Sequence, residues 1–199
     1  MNCLTNKKIN TDMTKRKLLS CLFLMFTFTV MAQNADQLYR EGKALYDAKR
    51  FHEALPKLKA AADKGHRKAQ YRLGRCFDKG EGVAEDNVRA FQWYFKAASQ
   101  GHPKAQYQVG RCYKKGKGVA EDQKKAYAYF VKAARQDNAD AEMALAKHFY
   151  KAGDKGKAKS YAIRAVRNPK GGDEVLAELK KDAANGSETS KAILLLLGK

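Results

Sequence analysis

Basic side chains at helical spacing are the strongest candidates for binding chemistry in this sequence. Four of them follow the spacing i, i+4, i+7 and i+11, which predicts one face of a helix: Lys68, Arg72, Arg75 and Lys79. Corresponding positions elsewhere carry Arg40, Lys43, Lys104, Arg111, Lys115 and Lys147. Such a row attracts an acidic partner, and the binding weakens as salt rises. We expect Arg75 and Arg111 to contact that partner.

The simpler interpretation is that these cations form the solvated face of amphipathic helices. A solvated face usually mixes both signs of charge, however, and the acidic neighbours of the row are few, with Asp78 and Asp140 among them. The row therefore favours a binding groove. Nucleic acid is disfavoured because stacking aromatic side chains do not interleave the row, since Tyr71 and Tyr107 fall at packing positions. An acidic protein segment, or an anionic polysaccharide of the cell envelope, fits better.

The other chemically active side chains do not form a recognisable site in the sequence. His52, His66, His102 and His148 lack the close spacing of metal ligands, so we expect no metal, and we predict no cofactor. His66 and His102 occupy equivalent positions near helix starts, which favours a turn or capping role. The Gly-x-Gly pairs lack the third glycine or the Gly-Lys-Ser/Thr of phosphate loops, so we interpret them as turns.

Cys76 and Cys112 are separated by 36 residues and occupy equivalent positions. Equivalent positions on stacked helices lie about 8 to 10 Å apart. A disulfide needs α-carbons within about 7 Å. We therefore expect two buried free thiols rather than a bridge, although an oxidising compartment would permit one.

The elements that position these residues follow from an internal repeat. Residues 66–101 and 102–137 align without gaps as two 36-residue blocks with 20 identical positions. Within each block, apolar residues at helical spacing are interrupted by a glycine turn, which indicates a pair of helices. Asp86 and Asp122 follow the two turns and are placed to cap the second helices. A period of this length is typical of a solenoid.

The blocks resemble the Sel-1-like repeat, a relative of the tetratricopeptide repeat. The matching residues of the first block are Ala69, Leu73, Gly74, Phe77, Gly80, Gly82, Val83, Asp86, Ala90, Trp93, Tyr94, Lys96, Ala97, Ala98 and Gly101. The resemblance implies an all-α solenoid, a right-handed superhelix whose first helices line the concave side. It also implies a role in protein–protein interaction. Some exported relatives carry paired cysteines in each repeat, but this chain lacks the second cysteine.

The flanking sequence extends the stack to about five antiparallel helix pairs. We predict one repeat domain over residues 34–199, with pairs at 34–65, 66–101, 102–137, 138–171 and 172–199. The last pair ends in an apolar run, residues 193–197, which we expect to cover the open end of the stack. The alternative for this run is a docking or dimer contact.

The first segment has the layout of an export signal. Three basic residues, 15–17, precede an uncharged, mostly apolar run over residues 18–31, which is shorter than the roughly 20 residues of a membrane span. We predict a signal peptide over residues 1–32, with either Met1 or Met13 as the start. A lipid anchor at Cys21 is disfavoured because the apolar run continues beyond it. The full chain carries a formal charge of +19, and removal of the segment leaves +15.

These observations predict an exported, periplasmic or secreted, non-enzymatic scaffold. It would hold a protein partner, an acidic one, in a basic concave groove, with no transmembrane segment after signal removal. Family analogy alone suggests an alternative, a hydrolase or penicillin-binding protein acting on cell-wall or β-lactam substrates. No serine in the sequence has lysine three positions later, and Lys-Thr-Gly is absent. A third possibility is a binder of anionic envelope polymer without sequence preference.

Overall fold

The computed structural model describes residues 34–198, which form ten α-helices and no strand. The helices are α1 (34–47), α2 (Phe51–Asp63), α3 (Arg67–Lys79), α4 (Asn87–Ser99), α5 (Pro103–Lys115), α6 (Gln123–Ala134), α7 (Ala139–Lys151), α8 (Lys155–Arg167), α9 (Gly172–Ala184) and α10 (Glu188–Leu197). The all-α prediction is confirmed. The predicted signal segment, with Met13 and Cys21, lies outside the described residues.

The chain divides into two compact units, Met1–His66 and Arg67–Lys199. In the described part of the first unit, α1 and α2 form a helical hairpin without a glycine turn, as expected. Gly42 permits the close approach, because a Cβ at that position would lie 3.0 Å from the Leu58 side chain. The ring of His66 stacks on Tyr39 at 4.3 Å between centroids, and its Nε2 lies 2.9 Å from Asp36 Oδ1.

The second unit is a stack of helix pairs, α3 with α4, α5 with α6, and α7 with α8. The α3/α4 and α5/α6 pairs are joined by turns in which the two glycines adopt positive φ, at residues 80, 82, 116 and 118. Asp86 then accepts a hydrogen bond from the backbone N–H of Arg89 at 2.9 Å, and Asp122 accepts from Lys125 at 2.8 Å. Both predicted N-caps are confirmed, and each fixes the start of its second helix.

Glutamine side chains form the same hydrogen bond within each block, and one of them also connects the two blocks. Gln100 Nε2 donates to Gln70 Oε1 at 2.8 Å, and Gln136 donates to Gln106 in the same way at 2.7 Å. Gln106 in turn donates to the carbonyl of Ala98 at 3.3 Å, so the buried amide links the first block to the second. Because these amides are hydrogen-bonded, their burial is not costly.

The carboxyl-terminal end of the stack is closed by α10, which packs against α7, α8 and α9. Ile193 is fully buried in the core that α7, α8 and α9 form, with Leu194 and Leu197 packed against it. This arrangement matches the expected covering role of the apolar run. Leu195 is the exception, since 78% of its surface is exposed.

Candidate partner-binding site

The predicted basic residues lie on both units, and only some of them line a common cavity. In the first unit, Arg40 and Lys43 are exposed on α1, and Lys43 pairs with Asp47. On α3, Lys68 and Lys79 are exposed, whereas Arg72 and Arg75 are half-buried. Lys104 is exposed near the start of α5.

Arg111, Lys115 and Lys147 come together around a cavity of about 330 Å³, which we call the α5–α9 cavity. Residues of α5, α7 and α9 form its walls, and apolar side chains form its floor: Phe130, Met143, Val175 and Leu179. First helices of successive pairs therefore share one concave site. Arg75 is not among the residues that line it.

Acidic residues of α7 and α9 face the same cavity, so the site is not purely basic. Asp140 and Glu178 line it, and Asp182 Oδ2 accepts from Lys147 Nζ at 2.8 Å. Burial, followed by the negative charge of Glu178, raises the pKa of Asp140. The expectation that acidic neighbours are few is wrong here, because the divergent last pair adds its own carboxylates.

Asp78, the other acidic neighbour expected from the sequence, is held by side chains that neutralise it. Lys117 Nζ donates to it at 2.7 Å, and the Tyr94 hydroxyl donates to it at 3.3 Å. Lys117 belongs to the turn of the second block, so this contact joins the two blocks rather than balancing the predicted row.

One lysine that the sequence interpretation did not select, Lys114, also lies at this site. Lys114 lines the α5–α9 cavity, and with Lys147 it also lines a second cavity of about 310 Å³, to which Lys151 contributes. Partial burial, together with the positive charges of Lys151 and Lys147, lowers the pKa of Lys114. These ammonium groups repel one another, so this end of α5 and α7 attracts anions.

An aromatic side chain packs beneath the guanidinium group of Arg111. Tyr107 lies against Phe130 at 5.8 Å between ring centroids, and the Arg111 guanidinium lies over the Tyr107 ring at 5.9 Å. Burial raises the pKa of Tyr107 to about 12, so it stays a neutral packing residue. The predicted packing role of Tyr107 is confirmed.

The nucleophile candidates are engaged in structural hydrogen bonds. Ser99 Oγ donates to the carbonyl of Lys96 at 2.8 Å. His102 caps α5, accepting from the backbone N–H of Ala105 at 3.2 Å, as predicted. Ser187 caps α10. Neither Ser99 nor His102 is arranged as a nucleophile and its base.

The thiols are likewise unsuited to chemistry. Cys76 and Cys112 are buried and free, as expected, and burial raises the pKa of each to about 11. Their thiolate forms are therefore scarce at neutral pH. Within residues 34–198, no three metal-ligating side chains converge.

Two consecutive segments, residues 67–102 and 103–138, match the family model described as Sel1 repeat. The chain therefore contains two Sel1 repeats. The resemblance inferred from the two blocks is thereby confirmed, with bounds that differ from the predicted ones by one residue. Sel1 repeats generally act as scaffolds for protein–protein interaction.

Solved structures agree with the Sel1 assignment. The chain is similar to a Sel1 repeat protein from Oxalobacter formigenes, with 27% identity, a TM-score of 0.61, and coverage of 78% of this chain and 74% of that one. It is also similar to a protective antigen of uropathogenic Escherichia coli strains that displays an SLR fold. That match has 26% identity and a TM-score of 0.59, and it covers 68% of this chain. The chain spans only 33% of the antigen's length.

Among curated proteins, the comparison finds no significant match. Between residues 34 and 198, no helix is long and apolar enough to cross a membrane.

Proposed function

We propose that this protein is an exported, non-catalytic scaffold that binds an acidic segment of a protein partner in the α5–α9 cavity. The observation that carries the proposal is the convergence of Arg111, Lys114, Lys115 and Lys147 around one concave site. Lysine and arginine attract carboxylates from a distance and hold them at short range.

The walls of the cavity argue for a protein segment rather than a uniformly charged polymer. Met143, Val175 and Leu179 lie beneath the site but are almost completely buried, so recognition falls to the charged side chains of the walls. The acidic side chains of the cavity would orient a bound segment, because Asp140 and Glu178 would repel carboxylates placed near α9. A bound segment would therefore place its acidic residues at the α5 wall.

Affinity capture from the native cell envelope tests this proposal. The wild-type chain is compared with Arg111→Glu plus Lys115→Glu, which reverses two charges at the cavity. The control is Lys159→Glu plus Arg167→Glu, which makes the same change of charge on exposed residues of α8. We expect the first variant to lose the partner, the control to keep it, and wild-type capture to weaken as salt rises.

Equal capture by all three chains would overturn the cavity as the binding site. Equal weakening by both variants would instead support a binder of anionic polymer, since only net charge would matter. A chromogenic β-lactam assay addresses the enzymatic alternative. Turnover that disappears on replacing one serine would replace the scaffold with a hydrolase.

Export is the part of the proposal that rests on the sequence of residues 1–32. It is tested by fractionating cells and determining the amino terminus of the mature chain, which we expect at Gln33. A chain that stays in the cytoplasm with its first 32 residues intact would contradict it.

A further inference from the structure

A second concave site lies beside the α5–α9 cavity and has its own chemistry. We call it the lysine cavity: it measures about 310 Å³ and is lined by the side chains of Lys114, Lys147 and Lys151 together with Ser187 and Thr189 from the start of α10. Three ammonium groups from α5 and α7 thus face two hydroxyl groups from α10. The proposed partner segment does not use Lys151, Ser187 or Thr189.

The positive charge in this cavity is not balanced by the part of the protein that the structure describes. Lys147 pairs with Asp182, but over residues 34–198 neither Lys114 nor Lys151 forms an ion pair. Two uncompensated ammonium groups near each other cost free energy, and a bound anion would remove that cost. Burial, and after it the positive charges of Lys151 and Lys147, lower the pKa of Lys114.

The remaining walls restrict what kind of anion would fit. Thr189 supplies a hydroxyl donor, which complements the oxygens of a tetrahedral oxyanion. The Ser187 hydroxyl lies beside it but already donates to Ser190 Oγ at 3.0 Å. Tyr127, which is partly exposed, also lines the cavity and supplies aromatic surface against which a small organic group could pack. Lysine suits phosphate because it acts as a mobile point charge.

We propose that the lysine cavity binds a phosphate-type oxyanion of charge −2, either free or carried by a small organic group. Lys114 and Lys151 neutralise its charge, and Thr189 donates a hydrogen bond to one of its oxygens. The lysine cavity shares Lys114 and Lys147 with the α5–α9 cavity, but Lys151 and Thr189 line the lysine cavity and not the α5–α9 cavity.

Isothermal titration calorimetry of the purified chain tests the proposal at constant ionic strength. The probes are inorganic phosphate, phenyl phosphate and, as a monoanion control, acetate. We expect saturable phosphate binding that is about tenfold weaker in Lys151→Gln, because one of two unpaired cations is lost. The matched control Lys159→Gln, an exposed lysine of α8, keeps wild-type affinity. Amide chemical shifts of Ser187 and Thr189 should move on phosphate addition.

Several outcomes would overturn the proposal: no saturable phosphate binding, acetate binding as tightly as phosphate, or equal affinities in Lys151→Gln and Lys159→Gln. Tighter binding of phenyl phosphate than of phosphate supports a carried group packed on Tyr127. Equal binding of the two supports a free oxyanion and overturns the carried form.

The proposal of partner binding and the proposal of phosphate binding can be disproved independently. Arg111→Glu plus Lys115→Glu removes the proposed partner but leaves Lys114, Lys147 and Lys151 in place, so phosphate binding should persist. Lys151→Gln should weaken phosphate binding and leave partner capture intact. Loss of partner capture in Lys151→Gln, with phosphate binding unchanged, would contradict the separation of the two sites.

Discussion

Gly74 lies directly beneath the ring of Tyr94: a Cβ atom at residue 74 would stand 2.6 Å from Tyr94 Cδ1. The second block repeats the relationship, since a Cβ at Gly110 would stand 2.7 Å from Phe130 Cδ1. Real Cβ atoms do not approach other atoms so closely. The first and second helices of each block therefore meet at a distance that only glycine allows.

Replacing Gly74 or Gly110 with alanine should destabilise the protein. The added methyl group forces the aromatic ring aside, and overpacking of this kind costs about 1 to 3 kcal/mol. Chemical unfolding measures the loss. Gly156→Ala on α8 is the control, because its nearest atom lies 3.6 Å away and alanine is the better helix former, so we expect no loss there. Equal stability of Gly74→Ala and the wild type would show that the ring moves freely.

His102 should make stability depend on pH in the mildly acidic range. Burial, and then the positive charges of Arg67 and Lys104, lower the pKa of His102 from its ordinary 6.5 to about 4. The unfolded chain therefore takes up the proton first. The stabilisation is complete above pH 6.5, and up to about 3 kcal/mol of it is lost as the pH falls towards 4.

His102→Asn provides the test, since asparagine caps helices but does not titrate. Between pH 7 and pH 4.5, the free energy of unfolding should fall more steeply for the wild type than for the variant. Parallel curves for the two proteins would show that His102 titrates alike in the folded and unfolded chains.

Asp140 should have the opposite effect on stability. Because burial and Glu178 raise its pKa above 3.8, the folded protein binds the proton more tightly than the unfolded chain. Stabilisation is present below pH 3.8 and is lost as the pH rises through the folded-state pKa. Asp140→Asn should therefore be more stable than the wild type at pH 7, with the difference vanishing near pH 3. Thermal unfolding at both values checks this.

Asp86 provides the comparison for the Asp140 experiment, because it is a carboxylate in a different environment. The backbone N–H of Arg89 lowers the pKa of Asp86, so its stabilisation is present above pH 3.8 and is lost on acidification. Asp86→Ala should be less stable than the wild type at pH 7 and should approach it near pH 3. If the stability of both variants, relative to the wild type, changed in the same direction with pH, the opposite pKa shifts of Asp140 and Asp86 would be contradicted.

Cys76 and Cys112 should resist alkylation in the folded protein. Each thiol is buried and has its pKa raised to about 11, so both accessibility and thiolate content are low at pH 8. Mass spectrometry after iodoacetamide treatment should find both cysteines unmodified in native protein and modified in guanidinium. Rapid native labelling of either residue would indicate local opening of its helix pair.

The features that could be predicted from sequence are those set by neighbouring residues. Asp86 and Asp122 lie directly after glycine turns, and a cap needs only the next three residues, so both N-caps were predictable. The helices also lie close to their predicted positions, since periodicity and turn residues are local. For the same reason, a regular 36-residue repeat identified the family without a structure.

The composition of the site could not be predicted because it depends on packing between distant segments. Lys114 and Lys115 are adjacent in sequence, and neighbouring residues differ by about 100° around a helix. Only the packing of α7 brings both of them to the same cavity. Glu178 and Asp182 belong to the divergent last pair, whose rotation the repeat pattern does not determine. The handedness of the superhelix and the predicted division into five pairs stay predictions.

The hydrogen bonds between glutamine side chains affect how this array can evolve. They are formed by Gln70, Gln100, Gln106 and Gln136. Each block brings its own amide pair, and Gln106 reaches back to the preceding block through the carbonyl of Ala98. A duplicated 36-residue cassette inserted after residue 101 would carry both halves of that junction with it. Gene duplication can therefore lengthen this array in whole units, without the invention of any new interface.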